Sequence, residues 1–295
     1  MKDFETMNPD VYSVKVTLCP LQEAIISPAH GYQVNALLLN ILRLSAPELA
    51  EELHDSDSAK PFTVSTLQGR SMAAGRGYRV SPESAYYLRF TFLKSETFTH
   101  FLAGALKWES EPIEVGAATF QVQEINPALP GDSLTGFDSY EGILSHASAH
   151  YQIEMEFLSP TAFRSGGRRN VIFPDPGLVF GSYFNRWQAF SSVKLDDTIT
   201  SWFEKMIVAR YQLETRFLDF GSYQEVGFSG RCRFLLNRNT PEEIVTGINA
   251  LADFAFYCGT GAKTTMGMGQ TRRVKGARNV KMAEKGHILT KIGVE

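Results

Sequence analysis

The sequence predicts an α+β protein made of two tandem ferredoxin-like (RNA-recognition-like) domains. Three observations support this fold class. The predicted elements of the first half follow the order strand, helix, strand, strand, helix, strand, which is the split βαβ pattern of such domains. A stretch rich in Pro, Gly, Asp and Ser then runs from Asn126 to Ser148 and predicts a connection. The second half repeats the order loosely, so we expect domains at residues 1–145 and 146–295.

Hydrophobic periodicity defines the elements of the first half. Alternating residues from Val11 to Leu18 predict a strand, and apolar residues at helical spacing predict a helix over residues 32–44. A second short helix is expected to run to His54, with Ser45 as its cap and Glu48 completing a capping box. The remaining predicted elements are strands at 61–67 and 86–93, a helix at 96–108 and a strand at 114–125.

The second half contains the strongest helix signal in the chain, from Thr240 to Tyr257. Thr240 and Glu243 form a predicted capping box around Pro241, and Gly259 follows where helices commonly end. The other predicted elements are a strand at 150–158, helices at 177–192 and 198–211, and a strand or hairpin at 225–236.

Composition excludes several classes of protein. The net charge of -3 means that any affinity for nucleic acid must come from a local basic patch. Three cysteines without a CxxC pair argue against a disulfide framework and fit a reducing cytoplasm. The first ten residues have no apolar core, and no apolar run approaches the length of a membrane span. We therefore expect a cytoplasmic protein with no membrane partner.

The stretch "GTGAKTTMGMGQTRR", from Gly259 to Arg273, resembles a nucleotide-binding loop only superficially. A Walker-type loop needs Gly directly before its Lys and follows a strand, whereas Ala262 precedes Lys263 and the stretch follows a helix. A dinucleotide fingerprint needs its third Gly where Thr264 stands. Both nucleotide-binding hypotheses therefore fail on spacing and on context.

Glycine and positive charge together suggest that this stretch contacts a polynucleotide. Glycines let backbone N–H groups approach a phosphate chain closely, and the candidates are Gly259, Gly261, Gly267 and Gly269. Residues 259–283 contain no acid and carry the basic residues Lys263, Arg272, Arg273, Lys275, Arg278 and Lys281. A second basic loop, "SPTAFRSGGRRN", carries Arg164, Arg168 and Arg169. On charge alone, a solvated turn followed by a basic tail is equally consistent.

Three blocks of sequence resemble the CRISPR-associated endoribonucleases that process precursor CRISPR RNA. They are "ALLLNILRLSAPELAEELHDSDSAKPFTVSTLQG", "FLSPTAFRSGGRRNVIFPDP" and "FAFYCGTGAKTTMGMGQTRR", which come in the order of the family and span most of the chain. The resemblance implies the repeat-associated RNA-binding superfamily with its tandem ferredoxin-like domains. It also implies CRISPR repeat RNA as the partner and no cofactor, and it leaves room for CRISPR-associated effector proteins and a homodimer.

The same resemblance implies a catalytic histidine and lysine. Members of the family often carry a histidine at the end of the N-terminal helical region and a lysine six residues later, and His54 and Lys60 match these positions. Where some members have a tyrosine, this chain has Leu39. His54 would take the proton from a ribose 2′-hydroxyl or protonate the leaving 5′-oxygen, and Lys60 would stabilise phosphoryl charge. No metal is needed, and the products would be a 2′,3′-cyclic phosphate and a 5′-hydroxyl.

Less specific interpretations remain open beside this one. His54 is also consistent with a surface residue at a helix end, and a non-cleaving CRISPR RNA-binding subunit is the alternative function. His30 lies before the first helix and is the next candidate base, although a loop role suits it better. His146 and His150 have metal-ligand spacing but no neighbouring ligand cluster, so we expect no metal. Candidate stacking groups, each also a normal core residue, are Tyr32, Tyr78, Phe163 and Phe173.

Overall fold

The secondary structure alternates helices with antiparallel strands along the described chain. The computed structural model describes residues 8–28, 30–56, 58–70, 72–74, 77–108, 111–128, 131–165, 169–220 and 223–274. The helices are α1 Gly31–Ser45, α2 Pro47–Asp55, α3 Ser95–Trp108, α4 Tyr140–Ser145, α5 Pro176–Phe190, α6 Thr200–Phe203 and α7 Glu242–Cys258. The strands are β1 Val11–Pro20, β2 Ala24–Ile26, β3 Phe62–Val64, β4 Gln68–Gly69, β5 Met72–Ala74, β6 Gly77–Val80, β7 Tyr86–Phe92, β8 Ile113–Val115, β9 Ala118–Asn126, β10 Gly136–Asp138, β11 Gln152–Thr161, β12 Phe163–Ser165, β13 Arg169–Val171, β14 Ile207–Asp219, β15 Gln224–Leu235 and β16 Thr271–Arg273.

The first main sheet has the order β3-β7-β1-β9-β8, with β4 added beside β7 and β10 beside β1. All of these strand pairs are antiparallel, and β1 pairs with β7 so that Val14 faces Phe90 and Val16 faces Leu88. The alternation expected of β1 appears in its burial pattern, because Val14, Val16 and Leu18 are buried. Helices α1, α2 and α3 also contribute buried residues to this core. The strand order is that of a ferredoxin-like fold.

The second main sheet has the order β14-β15-β11-β16 and repeats the arrangement of the first. Its first strand in the chain, β11, again lies between the third and the fourth, and α5 and α7 follow the first and third strands as helices do in the first half. Trp187 of α5 and Phe254 of α7 are fully buried in a second hydrophobic core. The expected tandem ferredoxin-like architecture is therefore confirmed.

The predicted helix over residues 198–211 is wrong in its second half. Helix α6 ends at Phe203, and Ile207–Asp219 forms the long strand β14. β14 pairs with β15 along its whole length, from Ile207 opposite Leu235 to Asp219 opposite Gln224. Pairing with β15, the next strand in the chain, satisfies the backbone of this segment and overrides the helical spacing of its apolar residues.

Both predicted capping boxes are also wrong. Ser45 is the last residue of α1, and its hydroxyl donates to the carbonyl of His100 at 2.7 Å instead of capping α2. Helix α7 begins at Glu242 after Pro241, and no side chain caps it. The buried Thr240 lies one residue further back, where its own N–H donates to the carbonyl of Asn237.

The predicted connection over residues 126–148 contains ordered structure of its own. Strand β10 pairs with β1 of the first sheet, and α4 packs against α7 of the second half. The hydroxyl of Ser139 accepts a hydrogen bond from the N–H of Gly142 at 2.9 Å and caps α4. The connection therefore binds to both halves, and the division at residues 145 and 146 stays a prediction.

Candidate functional site

His54 lies in the last turn of α2, and its side chain is exposed. The helix forms because Ala50 and Leu53 bury one face while the charged residues around them face solvent. It ends at Asp55, and the N–H of the following Ser56 still donates to the carbonyl of Glu52. An imidazole at this position can be reached from outside the protein.

Lys60 is held against the end of the same helix. Its ammonium donates to the carbonyl of Leu53 and, at 3.3 Å, to the carbonyl of His54. Cations stabilise the carbonyl end of a helix, where backbone acceptors have no helical partner. Lys60 therefore fixes the backbone that carries His54, and in the free protein its bonds go to the backbone and not to the imidazole ring.

Two further positions considered from the sequence are buried. Leu39 is 4% exposed and belongs to the first hydrophobic core. His30 is 2% exposed, and its Nε2 accepts from the N–H of Leu67 at 2.6 Å. Its Nδ1 therefore carries the proton and donates to the carbonyl of Ser27 at 2.6 Å. Burial lowers the pKa of His30, although the bond to Ser27 acts in the opposite direction. Both ring nitrogens are therefore hydrogen-bonded to the backbone, which indicates a structural role for His30.

The glycine-rich stretch folds as a loop packed inside the protein. Gly259, Gly261, Gly267 and Gly269 all have positive φ angles. A Cβ on Gly261 would lie 2.4 Å from the carbonyl oxygen of Ala162, and one on Gly269 would lie 2.1 Å from that of Thr260. Glycine is therefore required here for close packing against the chain itself. Contact of these glycines with RNA stays a prediction.

This loop joins the two halves of the molecule. The 3-10 turn Thr264–Met266 packs against α1 and β3 of the first half. Met266 lies so close to the start of α1 that a Cβ on Gly31 would be 1.9 Å from its carbonyl oxygen. Gly267 also forms a parallel bridge with Ser65, five residues after Lys60. The glycine loop therefore lies beside the segment that follows the candidate catalytic residues.

Arg186 of α5 holds the glycine loop from the other side. Its guanidinium donates to the carbonyls of Cys258, Gly259 and Gly261, and to the hydroxyl of Thr264 at 2.9 Å. A rigid fork of donors suits several carbonyls that point in different directions. Sequence reasoning missed Arg186, because a single arginine within a helical pattern reads as a solvated residue.

Arg89 of β7 is a buried cation at the junction of the halves. Its donors reach the hydroxyl of Ser13, the carbonyls of Leu134 and Phe256, and the side-chain oxygen of Gln270. The guanidinium also lies 4.3 Å from the ring centroid of Phe256. Burial lowers its pKa to about 10, so it stays charged at neutral pH. The alternating pattern of β7 gave no sign of this role.

Several of the predicted phosphate contacts are paired within the chain. Lys263 pairs with Glu225, Arg272 with Glu156 at 2.7 Å, and Arg273 with Asp253 at 3.0 Å. Burial opposes ionisation of Glu225, but hydrogen bonds and charge from Lys263 outweigh it and hold the pKa of that carboxyl below its usual range. A phosphate would have to compete with these carboxylates.

The other predicted contacts differ from these. Arg164 has an exposed side chain on β12, and Arg169 pairs through its backbone with Ser165 on the β12–β13 hairpin. Arg168 lies outside the described residues, as do Lys275, Arg278 and Lys281. Among the aromatic candidates Tyr32, Tyr78 and Phe173 are exposed, whereas Phe163 is buried in the second core.

A cavity of about 560 Å³ opens beside Arg272 and Arg273. Asp132, Glu156 and Asp253 line it together with these arginines, so its charges are mixed. His146 also lines it. Among the residues described by the structure, no three side chains of His, Cys, Asp or Glu are arranged to hold a metal ion. No helix in the same residues has the length and apolar character needed to cross a membrane.

Comparisons with known proteins find matches to both halves of the chain. Residues 25–126 match the family model described as CRISPR-associated protein Cas6, N-terminal, and residues 155–271 match the model of CRISPR-associated endoribonuclease Cas6. A Mycobacterium tuberculosis protein described as CRISPR-associated endoribonuclease Cas6 is 29% identical over 123 residues. That match covers 41% of this chain and only 38% of the relative.

Solved structures match over a longer range. A Cas6 product complex from Thermus thermophilus is 27% identical, covers 90% of this chain and 100% of its own, and has a TM-score of 0.76. A Cas6-related protein from Pyrococcus furiosus is 14% identical with a TM-score of 0.65, covering 90% of this chain and 99% of its own. At that identity the second comparison supports the fold alone.

Proposed function

Because the chain belongs to the CRISPR-associated Cas6 endoribonuclease family, we propose that it cuts repeat RNA within precursor CRISPR transcripts and so supplies mature CRISPR RNA for antiviral defence. The observation that carries the proposal is the exposed imidazole of His54 at the end of α2, because the resemblance to the family assigns its histidine to this position. The Thermus relative, described as a product complex, further supports an RNA substrate.

The proposed reaction is a transesterification within the RNA. The ribose 2′-oxygen attacks the adjacent phosphorus, the bond from phosphorus to the 5′-oxygen breaks, and the 2′-proton passes to a base. The products are a 2′,3′-cyclic phosphate and a 5′-hydroxyl, which gains a proton from an acid. Imidazole suits either proton transfer, because its ordinary pKa lies near neutrality. Holding the scissile nucleotide in line supplies further acceleration.

Lys60 would stabilise negative charge on the phosphoryl oxygens in this proposal. Its ammonium has three donors, and two of them reach the carbonyls of Leu53 and His54. One donor therefore stays available for a phosphate oxygen beside His54. The lysine can serve the reaction without leaving the helix end.

We propose that Arg164 and the neighbouring Arg168 and Arg169 bind RNA phosphates, with Arg272, Arg273 and the glycine loop as the second contact region. Exposure of Arg164 supports the first part of this proposal. Such contacts make binding weaker at higher salt. CRISPR-associated effector proteins and a second copy of the chain remain proposed partners.

Incubation with the cognate repeat RNA in excess chelator, followed by analysis of the RNA ends, tests the reaction. We expect cleavage to persist and the upstream product to end in a cyclic phosphate. Cleavage that stops in chelator and returns with magnesium, or downstream products with a 5′-phosphate, would refute the mechanism.

A second candidate function is a subunit that holds CRISPR RNA without cutting it. It is favoured by the buried Leu39, which replaces a potential third catalytic side chain, and by the engagement of Lys60 with backbone carbonyls. The same incubation separates the two functions. Tight binding of repeat RNA that stays intact over hours would identify the non-cleaving subunit.

A further inference from the structure

Three elements of the second half meet at the carboxylate of Glu225. This residue lies near the start of β15, and its side chain is 14% exposed. It accepts hydrogen bonds from the ammonium of Lys263 in the glycine loop and from the amide of Asn170 on β13. Asn170 lies opposite Arg164 on the β12–β13 hairpin. A single acid therefore ties the glycine loop and the basic hairpin to the β14–β15 hairpin.

The backbone and surroundings of Lys263 are specialised for this contact. Its φ of 57° is the only positive value found at a residue other than glycine in the described parts of the chain. This left-handed conformation is disfavoured for side chains with a Cβ. The ammonium lies 4.0 Å from the ring centroid of Tyr223 and 4.9 Å from that of Phe220. These two rings stack on each other at 5.1 Å.

This enclosure makes Lys263 a poor phosphate ligand. Its side chain is only 10% exposed, and its charge is neutralised by Glu225. A basic residue adds to the salt dependence of RNA binding when its free charge displaces counterions at a phosphate. A lysine already paired with a carboxylate would have to give up that partner first.

Resting on the proposed function, we propose that Lys263 and Glu225 are positioning residues that set the glycine loop and the two hairpins in place before RNA binds. The turn Thr264–Met266, directly after Lys263, packs on α1 and β3, and α2 with His54 packs on α1. A shift of Lys263 would therefore be passed through this turn to α1, and from α1 to the helix that carries His54. The proposal replaces the assignment of Lys263 as a phosphate contact.

Single-turnover cleavage and RNA affinity across a range of salt concentrations test the proposal. The variants are Lys263→Met, Glu225→Gln and the reversed pair Lys263→Glu with Glu225→Lys. Arg233→Met is the matched control, because Arg233 and Glu154 form a half-buried ion pair that also involves β15 but reaches neither loop. Thermal unfolding of each variant verifies that it folds.

We expect Lys263→Met and Glu225→Gln each to slow cleavage by about 10- to 100-fold, since small displacements of reacting groups have effects of this size. For both variants, the slope of RNA affinity against salt concentration should equal that of the wild type. The reversed pair should recover most of the wild-type cleavage rate. Arg233→Met should cleave at close to the wild-type rate. If a neutral variant does not fold, Lys263→Arg keeps the charge and should retain most of the activity.

Two outcomes would overturn the positioning role while leaving the proposed function standing. In one, the slope of RNA affinity against salt concentration falls for Lys263→Met by the amount expected for the loss of about one phosphate contact, and Glu225→Gln binds RNA more tightly than the wild type does. The other is a reversed pair that stays as slow as the single variants although it folds. A wild-type protein that neither binds nor cuts repeat RNA would instead overturn the proposed function, and the positioning role with it.

Discussion

Two histidines show how differently this chain uses the same side chain. His54 is exposed at the end of α2, where a substrate can reach it. His30 is buried, with Nδ1 bound to Ser27 and Nε2 bound to Leu67. The sequence could not separate them by residue type, since both stand near the ends of predicted helices. The resemblance to a known family favoured His54 as the catalytic residue. Both ring nitrogens of His30 are hydrogen-bonded, which explains why this side chain can be buried.

Replacing His54 with Ala should separate cleavage from binding. General acid–base groups typically contribute about 10²–10⁴-fold in rate, so single-turnover cleavage should slow by that order while affinity for repeat RNA changes little. His150→Ala is a matched control, because His150 is likewise exposed but does not line the cavity beside Arg272 and Arg273.

The leaving group distinguishes the two roles of His54. If it is the general acid, RNA with sulfur in place of the scissile 5′-oxygen should restore the rate of His54→Ala, because a thiolate leaves without a proton. If it is the general base, the sulfur should restore less. Cleavage by His54→Ala at the wild-type rate would remove the residue from the mechanism.

His30 should make the folded state sensitive to acid. Its pKa is lowered by burial, while in the unfolded chain it is about 6.5. The unfolded state therefore binds the proton more readily, so the stability that neutral His30 contributes is complete above about pH 6.5 and is lost as the pH falls through the lowered pKa.

A comparison of wild type with His30→Gln isolates this contribution, since glutamine does not titrate. The excess thermal stability of the wild type over the variant should shrink between about pH 7.5 and about pH 5. An excess that stays constant over this range would show that His30 does not titrate between the folded and unfolded states.

At the scale of elements, the glycine loop is tightly packed between the first half of the molecule and α5 of the second half. Its glycines allow the backbone of Thr260 and Ala162 to come close, and Arg186 satisfies its carbonyls. Gly269→Ala should therefore destabilise the protein by about 1–3 kcal/mol, since a Cβ would clash with backbone and the φ of 71° is disfavoured.

Gly181→Ala is the matched control for that substitution. Gly181 lies within α5, and a Cβ there would meet no atom within 4 Å. Alanine at this position should stabilise the protein by about 0.5–1 kcal/mol through helix propensity. Chemical denaturation of both variants measures the difference. Equal effects at the two positions would show that the loop is not tightly packed.

The sequence predicted elements well where local periodicity and tertiary pairing agree. β1, β7 and α7 follow from alternation or helical spacing, and they occupy the expected places. β14 was not predicted as a strand, because its pairing with β15 depends on both segments and is not visible in either one alone. The same limit applies to the site. The charges of Lys263 and Arg272 were visible, but their partners Glu225 and Glu156 are distant in sequence.

At the scale of the whole molecule, Arg89 joins the two halves. It reaches Ser13 in the first sheet, Leu134 in the connection, Phe256 at the end of α7 and Gln270 within the glycine loop. Nearby, the hydroxyl of Thr91 donates to the carbonyl of Tyr257 at 2.6 Å. Acceptors of the second half thus satisfy the buried donors Arg89 and Thr91 of the first half.

Arg89→Met should destabilise the protein by about 2–4 kcal/mol, because it leaves several buried acceptors without a donor. Arg79→Met is the control, since Arg79 forms an exposed pair with Glu23 and should cost less than about 1 kcal/mol. Urea unfolding of both variants gives the comparison. Similar losses for the two would mean that water or neighbouring donors replace the Arg89 guanidinium.

The wide spacing of Arg89's partners along the chain has a consequence for biosynthesis. Phe256 and Gln270 follow Arg89 by 167 and 181 residues. At a translation rate of about 5–20 residues per second, they leave the ribosome about 10–40 s after it. During that interval the nascent first half presents an arginine without two of its acceptors. Its docking surface therefore stays hydrated and open until the glycine loop has been synthesised.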